Sequence, residues 1–354
     1  MSLLSKISVL AILQVLAVRT LADAPPRLEV AVADPSAPLT FIAYGDTRFT
    51  QREGVANAVA RRALVARAAS EKPAAIFIGG DLVYEGSDPE DYEVYTTETA
   101  VWSQAKIPIF PALGNHEFRG CDKDVSPCLV NWWKAAVPSA VRSFRWYSVT
   151  LGPKILVLVL DSDSSLKPAS EQRTWFEQQI GHAGSQVEFV LVVLHYPPVR
   201  EPIFPRARDE KEIARYLSKH AHSLQPRVVV VSSHVHNYER FRRDDVTYLV
   251  SGGGGAKPVP VFRLFGELSK LDTTENFHYL RFRLEGRDLQ GTMVRFDPER
   301  NSEAAWTEPD RFEVKAKGGH LSARKRSRQP EPWEHAALKA DHGADPLAGE
   351  REDE

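Results

Sequence analysis

Five short strings combine carboxylate, amide, phenol and imidazole side chains, and each directly follows an apolar run. Two of them begin Gly-Asp, and carboxylates such as Asp46 and Asp81 are hard ligands for metal ions. The others add an amide and four imidazoles, and an imidazole can bind a metal or act as an acid. Together the five strings predict a two-metal hydrolytic site. They are GDTR (45–48), GDLVY (80–84), GNHE (114–117), LHYPP (194–198) and SHVH (233–236).

Taken singly, each string also has an interpretation without chemistry. Gly-Asp is a common turn signal, and a lone histidine such as His195 is often a satisfied core residue. The Tyr-Pro-Pro after His195 forces an extended exit, which favours a loop at the edge of a site. His234 and His236 cannot share one face of a regular strand, but on a turn they can reach two neighbouring metals. The occurrence of all five strings in one chain favours the site.

The apolar runs predict the strands that must position these side chains. Strands ending at a string are predicted at 39–44, 74–79, 107–113, 187–194 and 227–231, and carboxyl ends of parallel strands are where α/β sheets bind ligands. Alternation with helices predicts an α/β protein, and strand pairs without a helix between them predict a second sheet. The helices are expected at 52–71, 88–105, 170–180 and 209–221, and the further strands at 144–151, 154–160, 246–250, 277–284 and 289–296.

In their order, the strings resemble the calcineurin-like metallophosphoesterase superfamily, whose pattern is GDx[H/G], GDxx, GNH[E/D], an isolated histidine and GHxH. The resemblance covers 39–297 and is greatest to the compact, single-domain purple acid phosphatases. It implies a four-layer αββα fold, in which two β-sheets are flanked by helices. It also implies hydrolysis of small phosphate monoesters, in which a metal-bound hydroxide attacks phosphorus.

The resemblance carries roles onto individual residues. Asp81 would bridge two metals, and His116 would contact the phosphate and protonate or stabilise the leaving oxygen. The first metal would be bound by Asp46, Tyr84 and His236, and the second by Asn115, His195 and His234.

Tyr84 is the residue that favours the purple acid phosphatases. It matches the tyrosine that they use where other members have a histidine ligand, and a phenolate suits Fe(III) at the first site, with Fe(II), Zn(II) or Mn(II) at the second. Alternatively, Tyr84 packs beside the site. Arg48 takes the place of that histidine, and it can grip a phosphate oxygen or pair with a nearby acid. Ser233 replaces the glycine of GHxH.

Two other functions fit the same strings. A phosphodiesterase or nucleotidase would keep the site and change the substrate. An inactive phosphate-binding protein would keep the fold, but some of its metal-ligand positions would carry residues that cannot bind a metal. No ligand position is changed in this way in this sequence. The formal net charge of −2 in 354 residues indicates neither nucleic acid nor an acidic membrane as a partner.

The remaining segments suggest export and a single catalytic domain. The segments within residues 1–24 follow the order that is typical of a secretory signal peptide, which predicts a secreted or periplasmic protein without a stable membrane anchor. A buried helix or an uncleaved anchor is the alternative. Residues 25–38 are expected to be a linker, 39–300 the catalytic domain, and 301–354 a polar, disordered tail. Cys121 and Cys128 can form a disulfide or stay unpaired.

Overall fold

The computed structural model describes residues 24–200, 209–259, 261–262, 271–272, 277–300 and 302–318. The expected signal segment, apart from its last residue, lies outside these ranges, as does the tail from 319 onward. Within them the strands are β1 (Arg27–Val30), β2 (Leu39–Tyr44), β3 (Ile76–Ile78), β4 (Ile109–Pro111), β5 (Tyr147–Leu151), β6 (Ile155–Val159), β7 (Phe189–Val193), β8 (Arg227–Ser232), β9 (Tyr238–Arg243), β10 (Val246–Ser251), β11 (Val261–Phe262), β12 (Leu271–Asp272), β13 (Phe277–Glu285), β14 (Asp288–Phe296) and β15 (Trp306–Lys315).

Two mixed sheets form the body of the protein. One has the order β1-β5-β6-β7-β8-β10-β9, and the strands from β6 to β10 in this order run parallel. The other has the order β15-β14-β13-β2-β3-β4, with β2, β3 and β4 parallel. β11 pairs only with β12 among the described strands. The predicted hairpin at 277–284 and 289–296 is present as β13 and β14.

Helices cover the outer faces of both sheets, which confirms the predicted α/β fold. Capping side chains fix several helix starts: Asn57 accepts from the Ala60 N–H, and Ser170 accepts from the Arg173 N–H. Each cap satisfies a backbone donor that the first helical turn leaves unpaired. The helices are α1 (Ala58–Ser70), α2 (Pro89–Glu98), α3 (Ala100–Gln104), α4 (Ser126–Ala135), α5 (Glu171–Gly181) and α6 (Lys211–His220).

Strand alternation divides the core into two apolar clusters. In β6, Val157 and Val159 belong to a cluster that also holds Phe41 of β2, so this face lies between the sheets. Leu156 and Leu158 point the other way, into a cluster with α5 and α6. Because both faces of β6 are covered, its sequence is a continuous apolar run rather than an alternating one.

Two predicted boundaries were wrong. The expected linker 25–38 contains β1, which pairs in parallel with β5. The expected disordered tail 301–354 begins with β15, which pairs antiparallel with β14 along its length. The alternating pattern of half-buried and exposed residues in β15 makes this edge strand polar, and a polar composition was the reason for predicting disorder.

Cys121 and Cys128 form a disulfide, which closes a short loop before and into α4. Within the described ranges, no helix is long and apolar enough to cross a bilayer.

Candidate metal centre

The predicted ligands lie where parallel strands of both sheets end. Asp46 follows β2 and Asp81 follows β3, while His195 and His234 follow β7 and β8 in the other sheet. Asp46, Asp81 and His234 have φ values of 56°, 51° and 70°. This left-handed conformation is uncommon for residues other than glycine, and such backbone strain concentrates at functional sites.

Four of the predicted side chains converge on one point. The Nε2 atom of His195 lies 3.0 Å from Asn115 Oδ1, 3.1 Å from His234 Nδ1 and 3.2 Å from Asp81 Oδ1. The Nδ1 atom of His195 lies 3.0 Å from the Gly79 carbonyl, which can only accept, so Nδ1 carries the proton and Nε2 presents a lone pair. This set matches the predicted ligands of the second metal together with the predicted bridging carboxylate.

Asp46 and His236 form a second group beside the first. Asp46 Oδ1 lies 3.6 Å from His236 Nε2, and Asp46 Oδ2 accepts a hydrogen bond from the His234 backbone N–H at 2.8 Å. The His236 Nδ1 atom lies 2.8 Å from the Lys257 carbonyl, so its Nε2 also presents a lone pair. Candidate ligand atoms of Asp46, Asp81 and His195 lie within 4.8 Å of one another.

The carboxylate oxygens show that this cluster fits metal ions. Asp46 Oδ1 and Asp81 Oδ2 are fully buried, and among the described residues neither has a hydrogen-bond partner. Burying an ionised carboxylate without a partner is very costly, and a bound cation removes that cost. Oxygen and neutral imidazole donors suit iron, zinc and manganese.

Burial keeps the histidines in the neutral form that binds metals. It lowers the pKa of His234 to about 2, with the neighbouring His195 acting in the same direction. Burial, followed by Arg48, lowers the pKa of His236 to about 4. Burial and the charge of Asp81 raise the pKa of Asp46 well above its usual value.

Arg48 and His116 border the carboxylates. The Arg48 guanidinium lies 3.6 Å from Asp81 Oδ2, which corresponds to the predicted pairing with a nearby acid. His116 donates its backbone N–H to Asp81 Oδ1 at 3.0 Å. Its Nδ1 lies 2.5 Å from the Tyr84 carbonyl, and its Nε2 lies 3.8 Å from Asp81 Oδ2. His116 therefore presents Nε2 to the site.

Tyr84 is less closely integrated. Its half-buried ring lies 5.3 Å from the His116 ring and contacts the guanidinium groups of Arg119 and Arg52. Within the described part of the chain, its hydroxyl makes no hydrogen bond to Asp46 or Asp81. The role of Tyr84 as a ligand stays a prediction.

Glu117 is a functional residue that the sequence reasoning missed. Its fully buried carboxylate accepts four backbone N–H groups, two on each oxygen, and so joins the Asp81 loop to the Asn115 turn. The glutamate three residues after Gly114 was the available signal, because it is half of a capping box. Burial, followed by the charge of Asp81, raises the pKa of Glu117, and the backbone donors oppose this shift. The donors are Asp81 N (2.9 Å), Gly114 N (2.6 Å), Leu82 N (2.7 Å) and Val83 N (3.3 Å).

Comparison with protein families identifies this arrangement. The model of calcineurin-like phosphoesterases matches residues 39–238, which is more than half of the chain and contains all five strings. The chain belongs to the calcineurin-like phosphoesterase family. This family binds two metal ions, and the cluster around Asp81 is the corresponding candidate site. No curated protein sequence matches the chain.

Several solved structures share the fold of this chain. An anchor protein of the inner membrane complex of Plasmodium is 15% identical, with a TM-score of 0.56 over 79% of this chain and 90% of that one. A dimetal phosphatase from Danio rerio is 12% identical, with a TM-score of 0.54 over 80% and 100%. PhoD is 14% identical, with a TM-score of 0.55 over 80% and 71%. At these identities the similarity shows the fold alone.

The phosphoesterase accommodates its unusual Ser233 through two glycines. A Cβ atom on Gly45 or on Gly79 would lie 2.2 Å from the Ser233 hydroxyl, so the two Gly-Asp strings leave the space that this side chain fills. The hydroxyl donates to the Ser251 carbonyl at 3.2 Å, and the side chain is fully buried. The turn that carries His234 is therefore packed against both aspartate loops.

Proposed function

We propose that this phosphoesterase is a metal-dependent phosphatase that hydrolyses small phosphate monoesters and resembles the purple acid phosphatases. The observation that carries the proposal is the converging donor set. Asp46 Oδ1, which has no hydrogen bond within the described structure, lies 3.6 Å from His236 Nε2, and Asp81 Oδ1 lies 3.2 Å from His195 Nε2. The other Asp81 oxygen, Oδ2, is buried and also lacks a hydrogen bond there. A protein that had kept only the fold would not need these costly groups.

The two groups in the site support the proposed ligand assignment for every residue except Tyr84, which belongs to neither group. Asp81 lies between them and would serve both metals. Bound cations would supply an activated water at neutral pH and neutralise charge on the phosphate oxygens. The proposed first site, with Fe(III), uses Asp46, Tyr84 and His236, and the second, with Fe(II), Zn(II) or Mn(II), uses Asn115, His195 and His234.

His116 and Arg48 would act on the substrate directly. The Nδ1 proton of His116 is held by the Tyr84 carbonyl, so His116 would have to carry a second proton on Nε2, beside Asp81, and this is the proton that it would give to the leaving alcohol oxygen. The Arg48 Nε is buried and has no hydrogen-bond partner among the described residues. A phosphate oxygen would satisfy this donor, since guanidinium groups bind phosphate in charge-assisted hydrogen bonds.

We also infer that the protein acts outside the cytosol. The disulfide between Cys121 and Cys128 fits an oxidising compartment, and the apolar N-terminal segment fits an export signal. Mass spectrometry of the protein from its host should show a mature N-terminus near residue 23 or 25. An intact N-terminus on the purified protein would overturn this inference.

Metal analysis with visible spectroscopy tests the proposed class. We expect iron in the purified protein and a purple colour that Tyr84→Phe abolishes. Tyr216→Phe is the matched control, because Tyr216 is also half-buried between a guanidinium, that of Arg173, and the imidazole of His220. A colourless protein with only manganese or zinc would contradict the iron–phenolate site.

Substrate pairs test the reaction. The metal-loaded protein should hydrolyse p-nitrophenyl phosphate faster than bis-p-nitrophenyl phosphate, and a preference for the diester would favour a phosphodiesterase. Activity toward neither ester would support a binding or anchoring role.

A further inference from the structure

The rim of the site carries an arginine without an acidic partner. Arg119 is exposed and follows the turn Asn115–Phe118, which contains His116. Its guanidinium carbon lies 4.4 Å from the centre of the Tyr84 ring. Within the part of the chain that the structure describes, no carboxylate lies within ion-pair distance of this guanidinium.

A second arginine on the same ring shows the contrast. Arg52 lies 5.3 Å from the centre of the Tyr84 ring, but it contacts Glu85 at 2.6 Å and Asp88 at 3.3 Å. The positive charge of Arg52 is therefore neutralised within the protein. Arg119 is left as the cation that can attract an external anion.

The backbone of Arg119 is held firmly even though its side chain is exposed. Its carbonyl accepts the Ser87 N–H at 3.1 Å, and its own N–H donates to the His116 carbonyl at 3.2 Å. The Cys121–Cys128 disulfide closes the following loop, and the Cys128 sulfur lies 3.6 Å from the Arg119 carbonyl. The guanidinium therefore moves about a fixed Cα, which lowers the entropy that it loses when it binds a ligand.

We propose that Arg119 binds a second anionic group, on the alcohol half of the phosphate ester. This inference rests on the proposed function, in which His116 gives a proton or hydrogen bond to the leaving oxygen. The imidazole of His116 and the guanidinium of Arg119 both contact the Tyr84 ring, so an alcohol that leaves beside His116 passes close to Arg119. In the proposed function, Arg48 and the bound cations already contact the transferred phosphate, so that group does not need Arg119. Arg119 is thus a specificity-determining residue for esters with a carboxylate or second phosphate.

Kinetics with matched esters test the inference. Wild-type protein should prefer 3-phosphoglycerate to glycerol 1-phosphate, whose alcohol is neutral. Arg119→Gln should lower kcat/KM for 3-phosphoglycerate roughly tenfold, because it removes one exposed charge-assisted contact, and should lower kcat/KM for glycerol 1-phosphate much less. Arg119→Lys should recover part of the loss. Fructose 1,6-bisphosphate and fructose 6-phosphate form a second pair, which distinguishes a second phosphate from a carboxylate.

Arg215→Gln is the matched control for lost surface charge, because Arg215 is an exposed arginine on α6 paired with Glu212. Equal losses on charged and neutral esters in Arg119→Gln would overturn the inference, as would no loss on either.

A binding experiment that needs no turnover gives a second test: calorimetry compares the affinities of propylphosphonate and 3-phosphonopropionate. If the wild type hydrolyses no monoester, the proposed function fails, and tighter binding of 3-phosphonopropionate that Arg119→Gln abolishes would still support the role of Arg119. Equal binding of the two phosphonates would refute it.

Discussion

Replacement of Glu117 by glutamine should damage both stability and metal binding. The carboxylate joins the Asp81 loop to the Asn115 turn through four backbone N–H groups. Glutamine has nearly the same shape but only one oxygen. Whichever way the amide is oriented, two of the four buried donors then face an NH₂ group instead of an acceptor.

The size of the effect follows from the number of donors. A buried donor left without an acceptor costs about 1–3 kcal/mol, and relief of the repulsion between Glu117 and Asp81 offsets part of the loss. We therefore expect the free energy of unfolding of the metal-free protein to fall by roughly 2–4 kcal/mol. Because Glu117 also orients Asp81 and Asn115, metal affinity should fall by about 10–100-fold.

Two measurements on the same variant test this reasoning. Guanidinium unfolding of the metal-free protein gives the loss of stability, and metal titration followed by elemental analysis gives the affinity. Glu177→Gln is the matched control, since Glu177 is a partly exposed glutamate on α5 that pairs with Arg173. A Glu117→Gln protein with wild-type stability and metal content would refute the bracing role of Glu117.

Three further predictions concern the edge strand, the disulfide and the ligands. Asp310→Asn should lower the free energy of unfolding by about 1–3 kcal/mol, because Asp310 accepts hydrogen bonds from Arg240 and Tyr238 that join β15 to β9. Burial alone would raise the Asp310 pKa, but the bonds from Arg240 and Tyr238 outweigh burial, and the pKa in the folded protein is lowered. The stabilisation by ionised Asp310 is therefore full above about pH 4 and is lost as the pH falls through the folded-state pKa. Unfolding curves from pH 3 to 7 measure this loss. Cys128→Ser should cost about 2 kcal/mol through the reopened loop, measured by denaturant unfolding. His236→Ala should lower the metal content from two ions to one, measured by elemental analysis.

Each of these predictions has a contradicting result. A pH-independent difference between wild type and Asp310→Asn would exclude an ionised Asp310 as the cause. Equal stability of Cys128→Ser and wild type under non-reducing conditions would contradict the disulfide's contribution. A full complement of two metals in His236→Ala would remove His236 from the ligand set.

The sequence was sufficient for the fold class and for the central donor set. Candidate ligands such as His195 follow continuous apolar strands, and this local pattern is strong because both faces of these strands are covered. The bounds of β2 were also predicted to the residue, since an apolar run ends there at Gly45-Asp46.

Other features depend on contacts that local patterns do not contain. β1 and β15 are short or polar edge strands, and each is stabilised by a partner more than a hundred residues away or by a neighbouring hairpin. The function of Glu117 depends on donors in a separate loop, so its motif position alone did not reveal it. The ligand role of Tyr84 stays a prediction, because its hydroxyl makes no bond to the central carboxylates among the described residues.

Because Ser233 packs against Gly45 and Gly79, the effect of replacing one of these glycines depends on whether Ser233 has already been replaced. Gly79→Ala in the wild type would force its methyl group onto the Ser233 hydroxyl, whereas after Ser233→Gly the same methyl group would have room. An alanine that is harmful in this chain could thus be tolerated in a relative with glycine at position 233. Comparisons of natural sequences would then show these positions changing together, although both residues are buried.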